Sequence, residues 1–302
     1  MLGSAMIAHG TTRPDRPPLV APDQIEHHQA DMSVTVGGEV TLGALQEHLA
    51  ATGQWLPIDG SPDLTIGQAV ETNSTGPLRL GYGAWRDLLL GAQFVTPDGR
   101  QITAGGRTLK NVAGYDLTKL TVGQDRELAR VIAITARTYR RPTHALLVQL
   151  GHDRRIGDLL PTPLRPQWAM RTSAGLECGY LGDERTIAYI EQQITTIHPR
   201  SVTHRSLEQD IADRAARWRW PVEGMTRLMV PPASVEQIVA EIPNSTWVAD
   251  PAHGVILTTE PPPNRPGLRG TRLVNGNLVP IGLTDSEVRL HERLRRAMGS
   301  ST

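Results

Sequence analysis

The apolar positions change period along the chain, and each change predicts an element. Ser33-Val34-Thr35-Val36 alternates in the period of two expected of a half-buried strand. After Thr41 the apolar residues fall at Leu42, Leu45 and Leu49, one face of a helix that the threonine can cap. Residues 88–96 and 99–103 flank Pro97-Asp98-Gly99, where proline presets the turn backbone and glycine accepts positive φ, so a β-hairpin is predicted. Residues 131–139, rich in Val, Ile and Thr, predict a further strand, and Arg140-Arg141-Pro142 ends this first region.

Beyond residue 143 apolar strands alternate with amphipathic helices. Strands are predicted over 145–150, 176–181, 247–249 and 255–259, and a helix over 186–197. Ser234 with Gln237 and Thr284 with Glu287 have capping-box spacing, opening helices over 235–242 and from 285 through Met298. The Pro/Gly-rich stretch 261–270 is expected to be an exposed loop, and no internal repeat is visible. A chain of 302 residues exceeds the usual single core, so two domains are expected, 1–142 and 143–302, in an α+β arrangement.

Charge narrows the function classes. Lys+Arg and Asp+Glu are both 31, so no net imbalance points to nucleic acid or an anionic membrane. The single cysteine, Cys178, rules out an intrachain disulfide, a cysteine zinc site and an iron–sulfur cluster held by this chain alone. It lies in a strand-like run and is expected to be buried and inert. No stretch of about 18 consecutive apolar residues occurs, which predicts a cytoplasmic chain, held at a membrane, if at all, by its partners. The ten histidines show no H-x-H or H-x-x-x-H pair, no metal site is predicted, and no residue presents itself as the catalytic base. Trp218-Arg219-Trp220 could stack on bases, but without a basic stripe a packed strand or interface anchor is the better expectation.

Two segments carry candidate chemistry. Residues 65–76 read Thr-Ile-Gly-Gln-Ala-Val-Glu-Thr-Asn-Ser-Thr-Gly, small and hydroxyl-rich where a core element would carry bulk. Gly67 permits close backbone approach, and residues 73–76 could turn so that several amides converge on a phosphate; a tight structural turn is the alternative. Residues 110–120 read Lys-Asn-Val-Ala-Gly-Tyr-Asp-Leu-Thr-Lys-Leu, followed by Val122-Gly123, and they hold Lys110 and Lys119, the chain's two lysines. Between the segments lies Leu80-Gly81-Tyr82-Gly83-Ala84-Trp85-Arg86-Asp87, then Leu90-Gly91.

Taken in order, these three elements resemble the FAD-binding fold shared by vanillyl-alcohol oxidase and p-cresol methylhydroxylase (PCMH), in the wording of the glycolate oxidase E subunit. The resemblance implies an FAD-binding PCMH-type domain followed by a smaller α/β cap-like domain. It implies that Gly10, Thr11, Thr12, Thr65, Ile66, Gly67, Thr72, Asn73, Gly76, Gly123 and Ile132 contribute to the FAD site. Lys110 and Tyr115 would lie near the isoalloxazine, where a cation stabilises reduced flavin; a surface lysine and a packing tyrosine are the alternatives. The implied activity is electron transfer from glycolate or another small hydroxy acid, through flavin, to an iron–sulfur subunit, beside a catalytic FAD-binding paralogue. A flavin-free structural subunit of the same complex is the alternative. Three departures are expected to matter. The family's first lobe is missing, with Ala8 to Thr12 resembling the end of its phosphate loop; Gln124-Asp125-Arg126 replaces a glycine-containing turn; and the family's tail after Met298 is not found.

Overall fold

The computed structural model describes residues 20–106, 117–124, 128–197, 202–243, 246–275 and 277–297. A first antiparallel sheet is built from β1 (Ile25–His28), β2 (Ser33–Gly37), β4 (Leu89–Val95), β5 (Gln101–Gly105) and β6 (Arg130–Arg137), in the order β1-β2-β6-β4-β5. A two-residue pair, β3 (Gln54–Trp55) with β7 (Tyr139–Arg140), lies outside it. The hairpin predicted around Pro97-Asp98-Gly99 is β4–β5, with Gly99 at φ +83°. Helix α1 (Leu42–Ala50) begins at Thr41, whose hydroxyl accepts the Ala44 amide at 3.2 Å, and it buries Leu42, Leu45 and Leu49 as the spacing predicts. These leucines join Val34, Val36, Phe94 and Ile134 in one core.

Residues 66–71, the start of the first motif segment, form α2 (Ile66–Glu71), with a capping box between Thr65 and Gln68. Two single-turn helices follow, α3 (Arg79–Tyr82) and α4 (Trp85–Leu88).

The second sheet has nine strands, and all its pairings are antiparallel. They are β8 (His144–Leu150), β9 (Trp168–Thr172), β10 (Gly175–Gly182), β11 (Val202–Arg205), β12 (Thr226–Met229), β13 (Trp247–Asp250), β14 (Val255–Thr258), β15 (Arg269–Val274) and β16 (Asn277–Ile281). Their order, β11-β8-β10-β9-β13-β14-β12-β15-β16, contains a repeat that the sequence does not display. Strands β8 to β11 lie fourth-first-third-second, and β12 to β15 lie the same way in mirror order, as in two split β-α-β units joined edge to edge. The join is one pairing, Ala249 with Arg171. Each unit has a different helix: α5 (Glu184–Ile197) covers the first, between β10 and β11, and α7 (Val235–Val239) the second, between β12 and β13. The repeat is one of topology, so patterning could not reveal it.

Two further expectations change. The Ser234–Gln237 capping box does not form, because Pro232–Ser234 is already a 3-10 turn and Ser234 sits at φ −94°, ψ −6°, continuous with α7. At the last helix, α8 (Asp285–Ala297), the Glu287 carboxylate does reach back to accept the Thr284 amide at 3.0 Å. The stretch 261–270 runs into β15, which begins at Arg269.

Helix α6 (Leu207–Arg217) joins the two sheets. It carries Asp210 and Arg214 on its buried face. Arg214 Nε donates to Asp59 Oδ1 at 2.8 Å, its Nη1 donates to Asp210 Oδ2, and its guanidinium lies 5.6 Å from the Trp168 ring centroid. The spare carboxylate oxygens are also used: Asp59 Oδ2 accepts the Leu78 amide at 2.8 Å, and Asp210 Oδ1 accepts Trp168 Nε1 at 3.1 Å. Beside this cluster Tyr82 stacks edge-on between Trp55 and Tyr139, at 5.5 and 5.2 Å. Burial pushes its phenol up to about 12, with the Arg214 charge acting in the opposite direction.

Removing Asp59 leaves Arg214 paired with Asp210 but strips Arg214 Nε and the Leu78 amide of their acceptor. Asp59→Ala is expected to lower the unfolding free energy in urea titrations by about 1–3 kcal/mol for each buried donor left without a partner. Tyr82 gives a second expectation. The unfolded phenol releases its proton near its ordinary value while the folded one holds it to about 12, so stability should fall as pH rises through that window. In Tyr82→Phe that part of the fall should be absent from the stability–pH profile.

Candidate functional site

The first motif segment wraps around α2 and continues into a turn. Ile66 is fully buried and its amide donates to the Val40 carbonyl at 2.8 Å, while the Gly67 amide donates to Gly38 at 2.9 Å. A Cβ on Gly67 would lie 3.0 Å from the Gly38 carbonyl oxygen and 3.4 Å from that of Val131. The close approach that Gly67 permits is therefore made, on this side, to the first sheet's own backbone. Gly38 in turn donates to the Ile132 carbonyl at 2.7 Å, and Glu71 accepts the Val131 amide at 2.7 Å, so Gly67 and Ile132 are tied through one residue.

At the other end of α2, Thr72 is the C-cap and its hydroxyl donates to the Gln68 carbonyl at 2.7 Å. Asn73 has φ +47°, and its amide and that of Ser74 donate back to Val70 and Ala69 at 3.0 and 2.8 Å. These two amides are spent inside the helix and do not converge on an outside anion. Gly123 (φ +76°) donates to the same Val70 carbonyl at 3.0 Å, and a Cβ there would lie 3.2 Å from Asn73 Cβ. Thr65, Ile66, Gly67, Thr72, Asn73, Gly123 and Ile132 are thus gathered along one short helix. Gly76 lies apart: a Cβ would meet Asp59 Cβ at 2.5 Å and Trp218 Cδ1 at 2.8 Å. Gly10, Thr11, Thr12, Lys110 and Tyr115 lie outside the described residues.

Gln124, which replaces the expected glycine turn, faces inward. Its amide donates to the Ala129 carbonyl at 2.6 Å and accepts the Leu128 and Ala129 amides at 2.8 and 3.1 Å. The side chain substitutes for turn backbone instead of projecting outward.

Residues from beyond α6 and from β12 grip the turn 73–76. Trp218 Nε1 donates to the Thr75 carbonyl at 2.7 Å, the Ser74 hydroxyl donates to the Trp220 carbonyl at 3.1 Å, and Arg227 Nη1 donates to the Asn73 carbonyl at 2.9 Å. From within the first region, Trp85 Nε1 donates to the Ser74 carbonyl at 2.9 Å. Trp218 and Trp220 are buried anchors of an interface, following α6 and not part of a strand. Not every polar atom here is used: Asn73 Oδ1, Arg227 Nε and Trp220 Nε1 are buried without a hydrogen-bond partner. Burial pushes the Arg227 guanidinium down to about 10, the nearby Arg79 charge adds to this, and Asp250 opposes it.

Sequence reasoning missed Arg227, Arg79, Arg214 and Asp59. Only Arg227 left a signal, as an arginine beside Leu228 in an otherwise strand-like run. Elsewhere, Cys178 is buried and its thiol is pushed up to about 12 by burial, with Glu177 adding to it, which suits an inert residue. Among the described residues no group of three or more His, Cys, Asp or Glu is arranged to hold a metal, and no helix is long and apolar enough to cross a membrane.

The crowding at Gly76 is testable. Gly76→Ala is expected to destabilise by about 1–3 kcal/mol, since the methyl must displace Asp59 or Trp218. A lower urea midpoint followed by tryptophan fluorescence would report it.

Comparisons with known proteins agree with this architecture. The family model for the FAD binding domain matches residues 21–105. The chain is 33% identical over 120 residues to the mitochondrial D-lactate dehydrogenase [cytochrome] of Arabidopsis thaliana, covering 40% of this chain and 21% of that enzyme. It is 30% identical over 125 residues to glycolate oxidase subunit GlcE of Escherichia coli, covering 40% of this chain and 36% of the subunit. The chain thus spans between about a fifth and about a third of the length of these relatives. Solved structures share the fold at low identity. An alkyldihydroxyacetonephosphate synthase aligns with TM-score 0.59 at 10% identity, over 92% of this chain and 65% of that one. A chitooligosaccharide oxidase aligns with TM-score 0.51 at 13% identity, over 93% and 69%. Residues 21–105 are an FAD binding domain of the PCMH type, in a chain related to glycolate oxidase subunits and D-lactate dehydrogenases.

Proposed function

We propose that this chain is the FAD-binding subunit of a glycolate-type 2-hydroxy-acid oxidase or dehydrogenase, working beside a catalytic FAD-binding paralogue and an iron–sulfur subunit. The observation that carries this reading is the gathering of Thr65, Ile66, Gly67, Thr72, Asn73, Gly123 and Ile132 around α2, in a chain related to glycolate oxidase subunits. The cofactor site we assign also includes Gly76, Gly10, Thr11, Thr12, Lys110 and Tyr115. When bound, FAD supplies the acceptor for the two electrons released as a hydroxy acid becomes its oxo acid.

The residues at the turn fit such a group. A flavin edge offers an N–H donor, and Asn73 Oδ1 is a buried acceptor without a hydrogen-bond partner. Asn73 would orient the ring edge, and Arg227 would supply positive charge beside it. Trp218 and Trp220 would exclude water from the same seam. With one cysteine the chain cannot build an iron–sulfur cluster alone, so onward electron transfer needs a partner chain. In this reading the first sheet is the FAD domain (1–142), the second the cap (143–302), and the complex works in the cytoplasm or at a membrane surface held by partners.

Visible absorbance of the purified protein, with and without added FAD, tests the reading. Oxidised-flavin bands that stay with the protein through gel filtration are expected, bleached by glycolate or another small hydroxy acid when the partner subunits are present. Absence of those bands at saturating FAD would favour the structural-subunit role instead.

A further inference from the structure

Arg227 is anchored on β12, paired on one side to Leu257 of β14 and on the other to Thr271 of β15, so its backbone cannot move to suit its side chain. The guanidinium is buried, yet it makes no ion pair with a carboxylate among the described residues. The acid whose charge acts on it, Asp250, is already committed: its Oδ2 meets His253 Nδ1 at 2.8 Å, and its Oδ1 accepts the Ala252 and His253 amides at 3.0 and 3.2 Å. Arg79, the first residue of α3, donates its amide to the Gly76 carbonyl at 3.0 Å, which ties it to the turn that Arg227 holds; its charge weighs on Arg227, and it too has no ion pair among the described residues. Two guanidinium groups of like charge near one turn, neither in an ion pair among the described residues, form an arrangement that an anion would relieve.

The hydrogen-bond pattern says which kind of anion. Nη1 donates to the Asn73 carbonyl at 2.9 Å. Nη2 has only a 3.5 Å contact with the Thr75 hydroxyl, and Nε has no partner. Nε and Nη2 form the side-on fork of a guanidinium, whose two parallel N–H bonds match the two oxygens of a carboxylate. Arg227 therefore holds the turn with one edge and keeps the recognition edge unspent.

We infer that Arg227 and Arg79 form a carboxylate-binding subsite at the seam between the two sheets, Arg227 taking the carboxylate on its Nε/Nη2 fork and Arg79 adding the second positive charge. This rests on the proposed hydroxy-acid function, whose substrate carries a carboxylate next to the carbon to be oxidised. The subsite would hold that carboxylate beside the turn 73–76 and reject uncharged alcohols.

Calorimetric titration of the purified chain with glycolate and with oxalate, in FAD-free and FAD-supplemented samples, tests the inference. Wild-type protein should bind both carboxylates and not the uncharged analogue ethylene glycol. Arg79→Gln, at a partly exposed position, should weaken binding by about tenfold. Arg227→Met should remove it, with circular dichroism confirming that the variant is folded. Arg154→Gln, remote on the loop after β8, should bind as wild type. Equal binding by wild type and Arg79→Gln, or no binding by wild type, would overturn the subsite. The two proposals separate cleanly: retained flavin bands with arginine-independent carboxylate binding would sink the subsite and leave the cofactor reading intact. Arginine-dependent binding without flavin bands would do the reverse.

Discussion

The structure depends on one buried cluster in which a single cation answers two anions. Asp59 comes from the first region, Asp210 and Arg214 from α6, and all four carboxylate oxygens are engaged, with the Leu78 amide and Trp168 Nε1 completing the set. Charges this deep are tolerable only if paired and hydrogen-bonded. The requirement fixes α6 relative to Asp59, and the Leu78 amide then fixes the end of the turn that began at Asn73. Trp218, the residue that ends α6, reaches Thr75 from the same support. The seam is thus located by electrostatic satisfaction and filled by tryptophan.

That mechanism explains what could and could not be seen in the sequence. Thr41 with Leu42, Leu45 and Leu49, and the Pro97-Asp98-Gly99 hairpin, were legible because local turn chemistry and burial pattern agree there. Helix α6 was not legible, because its buried face carries Asp210 and Arg214 where periodicity looks for apolar residues. Its Ser206–Gln209 capping box was the available signal. The Ser234 box failed for the opposite reason: the local motif was present, but the preceding Pro232 turn had already made Ser234 helical. The doubled strand order of the second sheet lies in pairing, and pairing leaves little trace in composition.

The motif 65–76 shows the same limit at the candidate site. Its small residues do mark close approach, but the nearest partners of Gly67 and Gly76 are Gly38 and Val131 backbone in one case and Asp59 and Trp218 in the other. A glycine that permits helix-on-strand contact and one that permits ligand contact leave the same letter in the sequence. The motif therefore locates a junction of backbone, and the chemistry of that junction must come from side chains that cross it from elsewhere in the chain.

Those side chains divide into spent and unspent atoms, and the division carries the argument about function. Ser74, Trp85, Trp218 and the Nη1 edge of Arg227 are spent on holding the turn. Asn73 Oδ1 and Arg227 Nε are not. A region whose purpose was packing alone would be expected to close these valences, as the Asp59–Arg214–Asp210 cluster closes its own. The same protein thus contains a saturated charged cluster and, on the adjoining turn, an unsaturated one. Since both are buried and both join the two sheets, burial and assembly cannot account for the difference between them. The capacity left open at Asn73 and Arg227 is what a polar ligand would use, and the two arginines give its charge a sign.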